Sequence, residues 1–363
     1  MRRALLRWYD RHHRRLPWRA NPGALAEPYH VLVSEFMLQQ TQVATAVDHF
    51  ERFVARWPTV ADLAAAHEQA VLAAWQGLGY YRRARHLHAA ARTIVADHGG
   101  HVPDRYDALV ELAGVGRYTA AAIASIAFGR PVAVVDGNVI RVMARLHRIA
   151  EPTDKPAGRA AVEHAASALV GRSRRPGDVN QAMMELGATV CLPTSPRCLR
   201  CPLRNRCEAA AAGDARALPI KAGRTVQQPV RHDVVAIEHR GRLLFEQRGD
   251  GGLWAGMWQL PTHEGGHQPL ADWLAERLGG CLGRAAQGPQ AVHEVGRFTH
   301  LTTHRRITFY VHRVRLKGRR PAVKGRPTCW RRIDAVGDLP MSNAQRRALA
   351  ILEATAATAP ARY

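Results

Sequence analysis

The chain has 363 residues, of which 47% are hydrophobic and 23% charged, and its formal net charge at pH 7 is +22. This length fits two or three domains of ordinary size, and the composition excludes a wholly disordered protein. No apolar run approaches the roughly 20 residues of a membrane-spanning helix, and the N-terminus lacks a signal-peptide pattern. We therefore expect a soluble cytoplasmic protein with no membrane association, whose basic surface binds a polyanion, most often nucleic acid.

Residues 1–190 have the pattern of an almost entirely helical domain. Apolar side chains recur at helical spacing in segments that clusters of proline and glycine separate. The predicted helical segments are residues 31–40, 43–56, 63–75, 82–98 and 162–170. Residues 131–135 are apolar and β-branched, but this run is short and also fits a buried loop.

Residues 230–355 have a different pattern, typical of a mixed α/β domain. Residues 233–239 and 243–247 alternate in polarity around a short turn, which predicts a hairpin, and residues 307–315 alternate as well. Residues 270–278 and 343–353 are predicted helices. The Ala-rich and then polar residues 208–229 read as an interdomain linker.

Four cysteines lie close together, with six, two and five residues between them. They are Cys191, Cys198, Cys201 and Cys207. In a cytoplasmic protein such a window is more typical of a metal centre than of disulfides. Zinc sites usually contain two close cysteine pairs and this window contains one, so the spacing favours an iron–sulfur cluster over zinc. Cys281 and Cys329 are expected to be ordinary core residues.

The cysteine window also contains arginines. They are Arg197, Arg200, Arg204 and Arg206. On a loop that a metal centre holds rigid, four cationic side chains would bind phosphate groups. The alternative is that they only offset the negative charge of the ligated cluster, and both roles are compatible.

Residues 112–120 read LAGVGRYTA and lie between two predicted helices. Gly114 and Gly116, on either side of one apolar residue, predict a tight turn that exposes backbone N–H groups. Together with the N-terminus of the next helix, these groups can bind a phosphate oxygen. Twenty residues after Gly116 comes Asp136, at a predicted helix start, where by itself it could be only an N-cap.

These motifs together resemble the endonuclease III superfamily of DNA glycosylases. Three further runs narrow the resemblance to its MutY family of adenine DNA glycosylases: SEFMLQQTQV from residue 34, GLGYY from residue 77 and NQAMMELG from residue 180. The similarity is dense over residues 15–210 and continues more weakly to about residue 355. It implies a mostly α N-terminal helix-hairpin-helix glycosylase domain with a 4Fe-4S loop, followed by an α/β Nudix-like C-terminal domain.

The resemblance implies roles for four residues in the catalytic centre. Glu35 would be the general acid that protonates adenine and later activates water, with its pKa raised by apolar neighbours. Asp136 would stay ionised near the sugar and stabilise positive charge. Tyr118 stands where bifunctional relatives have the lysine that forms a Schiff base, so efficient lyase activity is not expected, and its phenol would orient Glu35 or the adenine. Asn138 would hold the sugar or the attacking water.

The resemblance also implies DNA-binding residues, because the target adenine must leave the duplex to be reached. Gln40, Leu78 and Tyr80 are candidates for the wedge that fills the gap, and Gln181 is a candidate for the lining of the adenine pocket.

In the C-terminal domain the Glu-rich metal box of Nudix hydrolases is absent from the sequence, so pyrophosphohydrolase activity is not expected. Phe298, Thr299 and His300 stand where the family commonly has Phe-Ser-His. They are therefore expected to recognise 8-oxoguanine, with the Thr299 hydroxyl in place of that of serine.

The predicted function is a monofunctional adenine DNA glycosylase of base excision repair. Its substrate would be double-stranded DNA with adenine opposite 8-oxoguanine or guanine. The alternatives are a bifunctional glycosylase with lyase activity and a non-catalytic iron–sulfur DNA-binding protein. We expect a monomer associated with the nucleoid, with a repair clamp or mismatch-repair proteins as further partners. The predicted domains are residues 1–190, the cluster loop 191–207, the linker 208–229 and residues 230–355.

Overall fold

The computed structural model describes residues 1–223, 227–249, 251–265, 268–278, 292–302, 304–316 and 326–357. The chain forms two compact units. The first contains Met1–Val71 and Arg83–Arg224, and the second contains Leu72–Arg82 and Thr225–Tyr363. The prediction for Cys281 lies outside the described residues.

Residues 1–223 are helical, which confirms the predicted class of the N-terminal part. The helices are α1 (Arg2–His12), α2 (Pro28–Leu38), α3 (Val43–Arg56), α4 (Val60–Ala65), α5 (Glu68–Ala74), α6 (Arg82–His98), α7 (Tyr106–Val110), α8 (Arg117–Ile126), α9 (Gly137–Leu146), α10 (Pro156–Val170), α11 (Pro176–Thr189) and α12 (Glu208–Ala212). A buried core lies between α1, α9, α10 and α11. Residues 131–135 form neither helix nor strand but a loop that leads into α9.

The single helix predicted over residues 63–75 is wrong, because two helices occupy this stretch. Helix α4 ends where Ala66 becomes extended, with a ψ of 149°. The ring nitrogen Nδ1 of His67 then accepts the backbone N–H of Gln69 at 3.3 Å, close to the start of α5. A side-chain acceptor at this position competes with the backbone of a continuous helix, which the apolar periodicity does not reveal.

The second unit is built on a seven-stranded mixed sheet within the described residues. Its strands are β1 (Gln228–His239), β2 (Arg242–Gln247), β3 (Trp258–Gln259), β4 (Thr262–Glu264), β5 (His293–Leu301), β6 (Arg305–Arg315) and β7 (Thr328–Arg331). The order is β3-β2-β1-β6-β5, with β4 also paired to β1 and β7 to β2. Strands β1 and β6 are parallel, and the other pairs are antiparallel.

The sheet has a core on each face. Val234 and Ala236 of β1 pack with α14 (Asn343–Ala357), and Val235 and Ile237 pack with α13 (Leu270–Arg277). Burial on both faces is the reason that residues 234–237 of this strand are apolar without interruption. The predicted β1–β2 hairpin is confirmed, and its turn has positive φ values of 48° at Arg240 and 74° at Gly241. Cys329, on β7, is half-buried against the α14 core.

Candidate active site and cysteine loop

The carboxyl group of Glu35 is buried, on a mostly apolar helix. Every residue of α2 from Val31 to Met37 is buried, so the packing of this helix carries the acid inside. The Glu35 side chain is 5% exposed, and its Oε2 atom is buried without a hydrogen-bond partner among the described residues. Burial raises the pKa of Glu35 to about 7; a hydrogen bond from Tyr118 opposes this rise and the charge of Asp136 adds to it. At neutral pH the carboxyl is therefore partly protonated and able to donate.

Tyr118 and Asp136 lie beside Glu35, each at the start of another helix. Tyr118 is in the first turn of α8, and its hydroxyl also lies 3.7 Å from the Sδ atom of Met184. Burial, with Glu35 and Asp136 adding to it, raises the pKa of Tyr118 well above its ordinary value. The phenol therefore stays protonated and is able to donate a hydrogen bond to the carboxyl.

Asp136 is the N-cap of α9 as well as a neighbour of Glu35. Its Oδ1 accepts the backbone N–H of Val139 at 2.7 Å, and its Oδ2 accepts the Asn138 side-chain amide at 2.8 Å. These two hydrogen bonds fix the position of the carboxylate at the start of α9. The cap and the functional interpretation of Asp136 are therefore compatible.

Arg141 connects this carboxylate to the cysteine loop. Its Nη2 donates to the Asn138 Oδ1 at 2.9 Å and to the Gly187 carbonyl at 2.8 Å, and its Nε donates to the Cys191 carbonyl at 2.8 Å. A Cβ added to Gly187 would lie 2.5 Å from the Cβ of Asn138, so glycine is what lets α11 approach α9 here. No sequence motif singled out Arg141 for this role.

The turn between α7 and α8 has the predicted hairpin form. Gly114 has a φ of 75°, and an added Cβ would lie 2.5 Å from His86, so glycine is required here by conformation and by space. Gly116 is the N-cap of α8 with an ordinary φ of −83°, and an added Cβ would meet no described atom within 4 Å. The space beside Gly116 is therefore open to an approaching phosphate.

Helix α11 carries Gln181, the predicted adenine-pocket residue, and Glu185 one turn later; both are buried. Glu185 accepts hydrogen bonds from Arg14 Nε at 2.6 Å and from Arg19 Nη1 at 2.9 Å. Burial alone would raise the pKa of Glu185, but the two arginines lower it below its ordinary value. Arg19 also acts on Glu35, whose pKa its charge lowers. Arg14, Arg19 and Glu185 were not predicted from the sequence. The acid inside the apolar run AMMELGA was a signal that could have pointed to Glu185.

Two of the three wedge candidates have unusual backbone conformations. Gln40 follows α2 with a φ of 60° and is exposed. In the second unit, Tyr80 has a φ of 47° and is 49% exposed. Residues other than glycine rarely adopt positive φ, and such positions concentrate at functional sites. Leu78 is buried, so a wedge role would require it to leave its packing.

The four cysteines of the loop line one cavity together with Arg145. Among the described residues, no group of three or more His, Cys, Asp or Glu side chains is arranged to hold a single metal ion. Four cysteine thiols that line one cavity are a donor set that a 4Fe-4S cluster can take. Burial raises the pKa of the Cys201 thiol to about 11, and the neighbouring cysteines add to this rise.

Phe298, Thr299 and His300 lie in the C-terminal half of β5. Phe298 is buried and stacks on Phe309, whereas Thr299 is exposed and pairs across the strands with Thr308. The Arg347 guanidinium lies 4.8 Å from the centre of the Phe298 ring, and its Nη1 donates to the Thr299 carbonyl at 3.4 Å. Burial and the charge of Arg347 lower the pKa of His300.

Two acids of the second unit, the buried Glu246 and the exposed Glu264, are paired with arginine. Glu246 of β2 accepts from Arg277 of α13 and from the Gln259 side chain, and Glu264 of β4 accepts from Arg248. These carboxylates are therefore neutralised by guanidinium groups. The two acids of α13, Asp272 and Glu276, are exposed.

Each of the two units matches a known protein family. The model of the HhH-GPD superfamily of base excision DNA repair proteins matches residues 33–166, and the NUDIX domain model matches residues 233–350. The adenine DNA glycosylase of Rattus norvegicus is 38% identical, over 88% of this chain and 71% of the rat protein. That of Mycobacterium tuberculosis H37Rv is 47% identical, over 55% of this chain and 64% of its own length.

Among solved structures, a thermostable thymine-DNA glycosylase has a TM-score of 0.49 and 26% identity, over 58% of this chain and 95% of that chain. From the two family models and the curated relatives, the chain belongs to the adenine DNA glycosylase family of the HhH-GPD superfamily.

Proposed function

We propose that this protein is a monofunctional DNA glycosylase of base excision repair that removes adenine mispaired with 8-oxoguanine or guanine. The observation that carries the proposal is the enclosed carboxyl of Glu35, whose pKa is raised to about 7 beside the helix-capping carboxylate of Asp136. Two carboxyl groups in different environments are what hydrolysis of a glycosidic bond requires. Membership of the adenine DNA glycosylase family supports adenine as the leaving base.

The proposed reaction begins with extrusion of adenine from the duplex. Glu35 donates its proton to a ring nitrogen of the adenine, which makes the base a better leaving group. As the bond from the base to the sugar C1′ breaks, Asp136 stabilises the positive charge that develops on the deoxyribose. Glu35, now ionised, accepts a proton from the water that attacks C1′. Asn138, which donates to Asp136, would hold the sugar or this water.

Tyr118 supports the monofunctional assignment over a bifunctional lyase. A Schiff base needs an amine nucleophile, and a phenol cannot supply one. The non-catalytic alternative is disfavoured by Glu35 itself. A buried carboxyl with an unpartnered oxygen lowers stability, and such a group is typical of an active site rather than of a scaffold.

The cysteine loop would hold a 4Fe-4S cluster through Cys191, Cys198, Cys201 and Cys207. When bound, the cluster would supply a rigid anchor for the loop, and protein sulfurs would fill its four ligand positions. The arginines at 197, 200, 204 and 206 are exposed, and none forms an ion pair with the described residues. They are therefore available to bind DNA phosphates.

In the second unit, the exposed Thr299 supports recognition of 8-oxoguanine opposite the adenine. No helix among the described residues is long and apolar enough to span a membrane. The monomeric state, nucleoid association and the clamp or mismatch-repair partners stay predictions.

The deciding experiment is a base-excision assay on duplexes with adenine opposite 8-oxoguanine, guanine, cytosine or thymine, followed by alkaline cleavage. We expect strand breaks at adenine opposite 8-oxoguanine and guanine, and none with Glu35→Gln, which should still bind the duplex. Absence of breaks with the parent protein would overturn the enzyme assignment. Efficient borohydride trapping on abasic DNA would instead favour the bifunctional alternative.

A further inference from the structure

Arg145 is a buried cation at the end of α9, in the helical unit. Its side chain is among the largest that are fully buried, and the residue is 2% exposed. Its hydrogen bonds go to the carbonyl oxygens of Leu192 and Pro193, each at 2.7 Å, and of Leu218 at 3.0 Å. Its Nη1 also lies 3.4 Å from the Sγ of Cys191. Within the described residues it has no carboxylate partner.

A buried charge without an opposite charge nearby destabilises the folded protein. Guanidinium cannot reduce this cost by losing its proton. Carbonyl dipoles satisfy its N–H groups, but they do not neutralise it. The charge therefore indicates a nearby anion other than a carboxylate of the described residues. The groups that can become anionic beside Arg145 are the cysteines, which line the same cavity.

The contacts of Arg145 also close the loop. It binds Leu192 and Pro193 just after the first cysteine, and Leu218 beyond the last one. Its own carbonyl oxygen lies 3.4 Å from the thiol of Cys207, which donates to it. One residue of a rigid helix thus holds both ends of the segment that carries the four cysteines.

We propose that Arg145 is the internal counter-ion of the cysteine loop, which shapes the loop and offsets the negative charge of the four-thiolate cluster. This rests on the proposed 4Fe-4S cluster. The exposed arginines of the loop are less suited to the task, because water and salt screen their charges. The exposed arginines of the loop would then bind phosphate groups. Arg145, which lies on α9 and not in the loop, would offset the charge of the cluster.

The test compares Arg145→Met and Arg145→Lys with Arg148→Met as a matched control. Arg148 follows the same helix, but its side chain is 56% exposed and pairs with Asp214. Three properties are measured on the full chain: iron and visible absorbance per protein, the rate of tryptic cleavage after the loop arginines, and the midpoint potential of the retained cluster.

We expect Arg145→Met to retain about threefold less iron and to be cleaved several-fold faster in the loop, because a desolvated anionic cluster loses its counter-charge. Its potential should shift to more negative values, since a lost cation disfavours the more negative reduced state. Arg145→Lys keeps the charge but not the forked geometry, so its potential should stay close to the parent while its loop is cleaved faster. The control should match the parent.

Iron content, cleavage rate and potential that are unchanged in Arg145→Met would overturn the proposal. If Arg145→Met does not fold, Arg145→Lys decides: faster loop cleavage supports the proposal, and parental behaviour overturns it. A parent protein that binds no iron after anaerobic reconstitution would instead show that the proposed cluster itself is wrong.

Discussion

At the scale of single residues, the buried carboxyl of Glu35 makes stability depend on pH. Its pKa is about 7 in the folded protein against an ordinary value of 4.5. Below pH 4.5 the folded and unfolded chains both hold this proton. Between pH 4.5 and 7 the folded chain keeps it and the unfolded chain loses it, so stability falls as pH rises. Above pH 7 the penalty is constant, at about 3 kcal/mol.

Glu35→Gln should therefore stabilise the helical unit at alkaline pH while it abolishes excision. The gain should approach about 3 kcal/mol at pH 8 and vanish near pH 4, because glutamine carries no charge to desolvate. Chemical unfolding at the two pH values measures it. Glu51→Gln, at an exposed position of α3, is the control and should show no such difference. Equal stability of Glu35→Gln and parent at pH 8 would contradict the raised pKa.

Glu35, Tyr118 and Asp136 were each named from motifs that resemble a known family, and the fold brings the three residues together. Their catalytic roles stay predictions. Arg19 and Glu185 were missed because their ion pair joins positions 166 residues apart, which no local pattern reveals. The sequence also could not decide whether Asp136 is a helix N-cap, a catalytic carboxylate or both. An aspartate at a helix start is expected in each case.

At the scale of secondary-structure elements, the two glycines of the hairpin should respond differently to substitution. Gly114→Ala should destabilise the fold by about 1–3 kcal/mol, because its φ is 75° and the new methyl would collide with His86. Gly116→Ala should leave stability nearly unchanged but weaken DNA binding, since its methyl would occupy the open space where a phosphate approaches.

Thermal unfolding and fluorescence-anisotropy binding to a mispaired duplex separate the two effects. If Gly116→Ala binds DNA as tightly as the parent, the hairpin does not hold phosphate at this position. If Gly114→Ala unfolds at the parental temperature, the steric argument fails.

Several long periodic elements were predicted, but helix α11 and strand β5 were not among the predicted segments, although they have 14 and 9 residues. Helices α3 and α6 have the bounds that the apolar periodicity predicts. The β1–β2 hairpin lies where it was predicted, although residues 234–237 of β1 are apolar on both faces instead of alternating. Strands β3, β4 and β7 were missed, because two to four residues are too few for a period to show. Such strands exist because the long strands beside them offer unpaired backbone groups.

At the scale of the whole molecule, the excess of 22 positive charges predicts affinity for DNA, but not for a particular mispair. Electrostatic attraction to phosphates does not depend on the base sequence of the DNA. The proposed selectivity for 8-oxoguanine would therefore depend on direct contacts to the base rather than on the overall charge. The exposed hydroxyl of Thr299 is the candidate that the second unit offers.

Thr299→Val should lower the preference for adenine opposite 8-oxoguanine over adenine opposite guanine by about five- to tenfold, the worth of one hydrogen bond. Single-turnover excision rates on the two duplexes measure this preference. Thr308→Val is the matched control, because Thr308 is the cross-strand neighbour of Thr299 and should leave the ratio unchanged. An unchanged ratio in Thr299→Val would remove the lesion-reading role from this residue.

The cap formed by Asp136 has a consequence for how variants of this protein are interpreted. Alanine at this position would remove a negative charge and the start of α9 together, so lost activity in Asp136→Ala could reflect a frayed helix as well as slower chemistry. Asparagine caps a helix about as well as aspartate but carries no charge. Asp136→Asn therefore separates architecture from chemistry, and the difference between the two variants measures how much of a substitution's effect is structural.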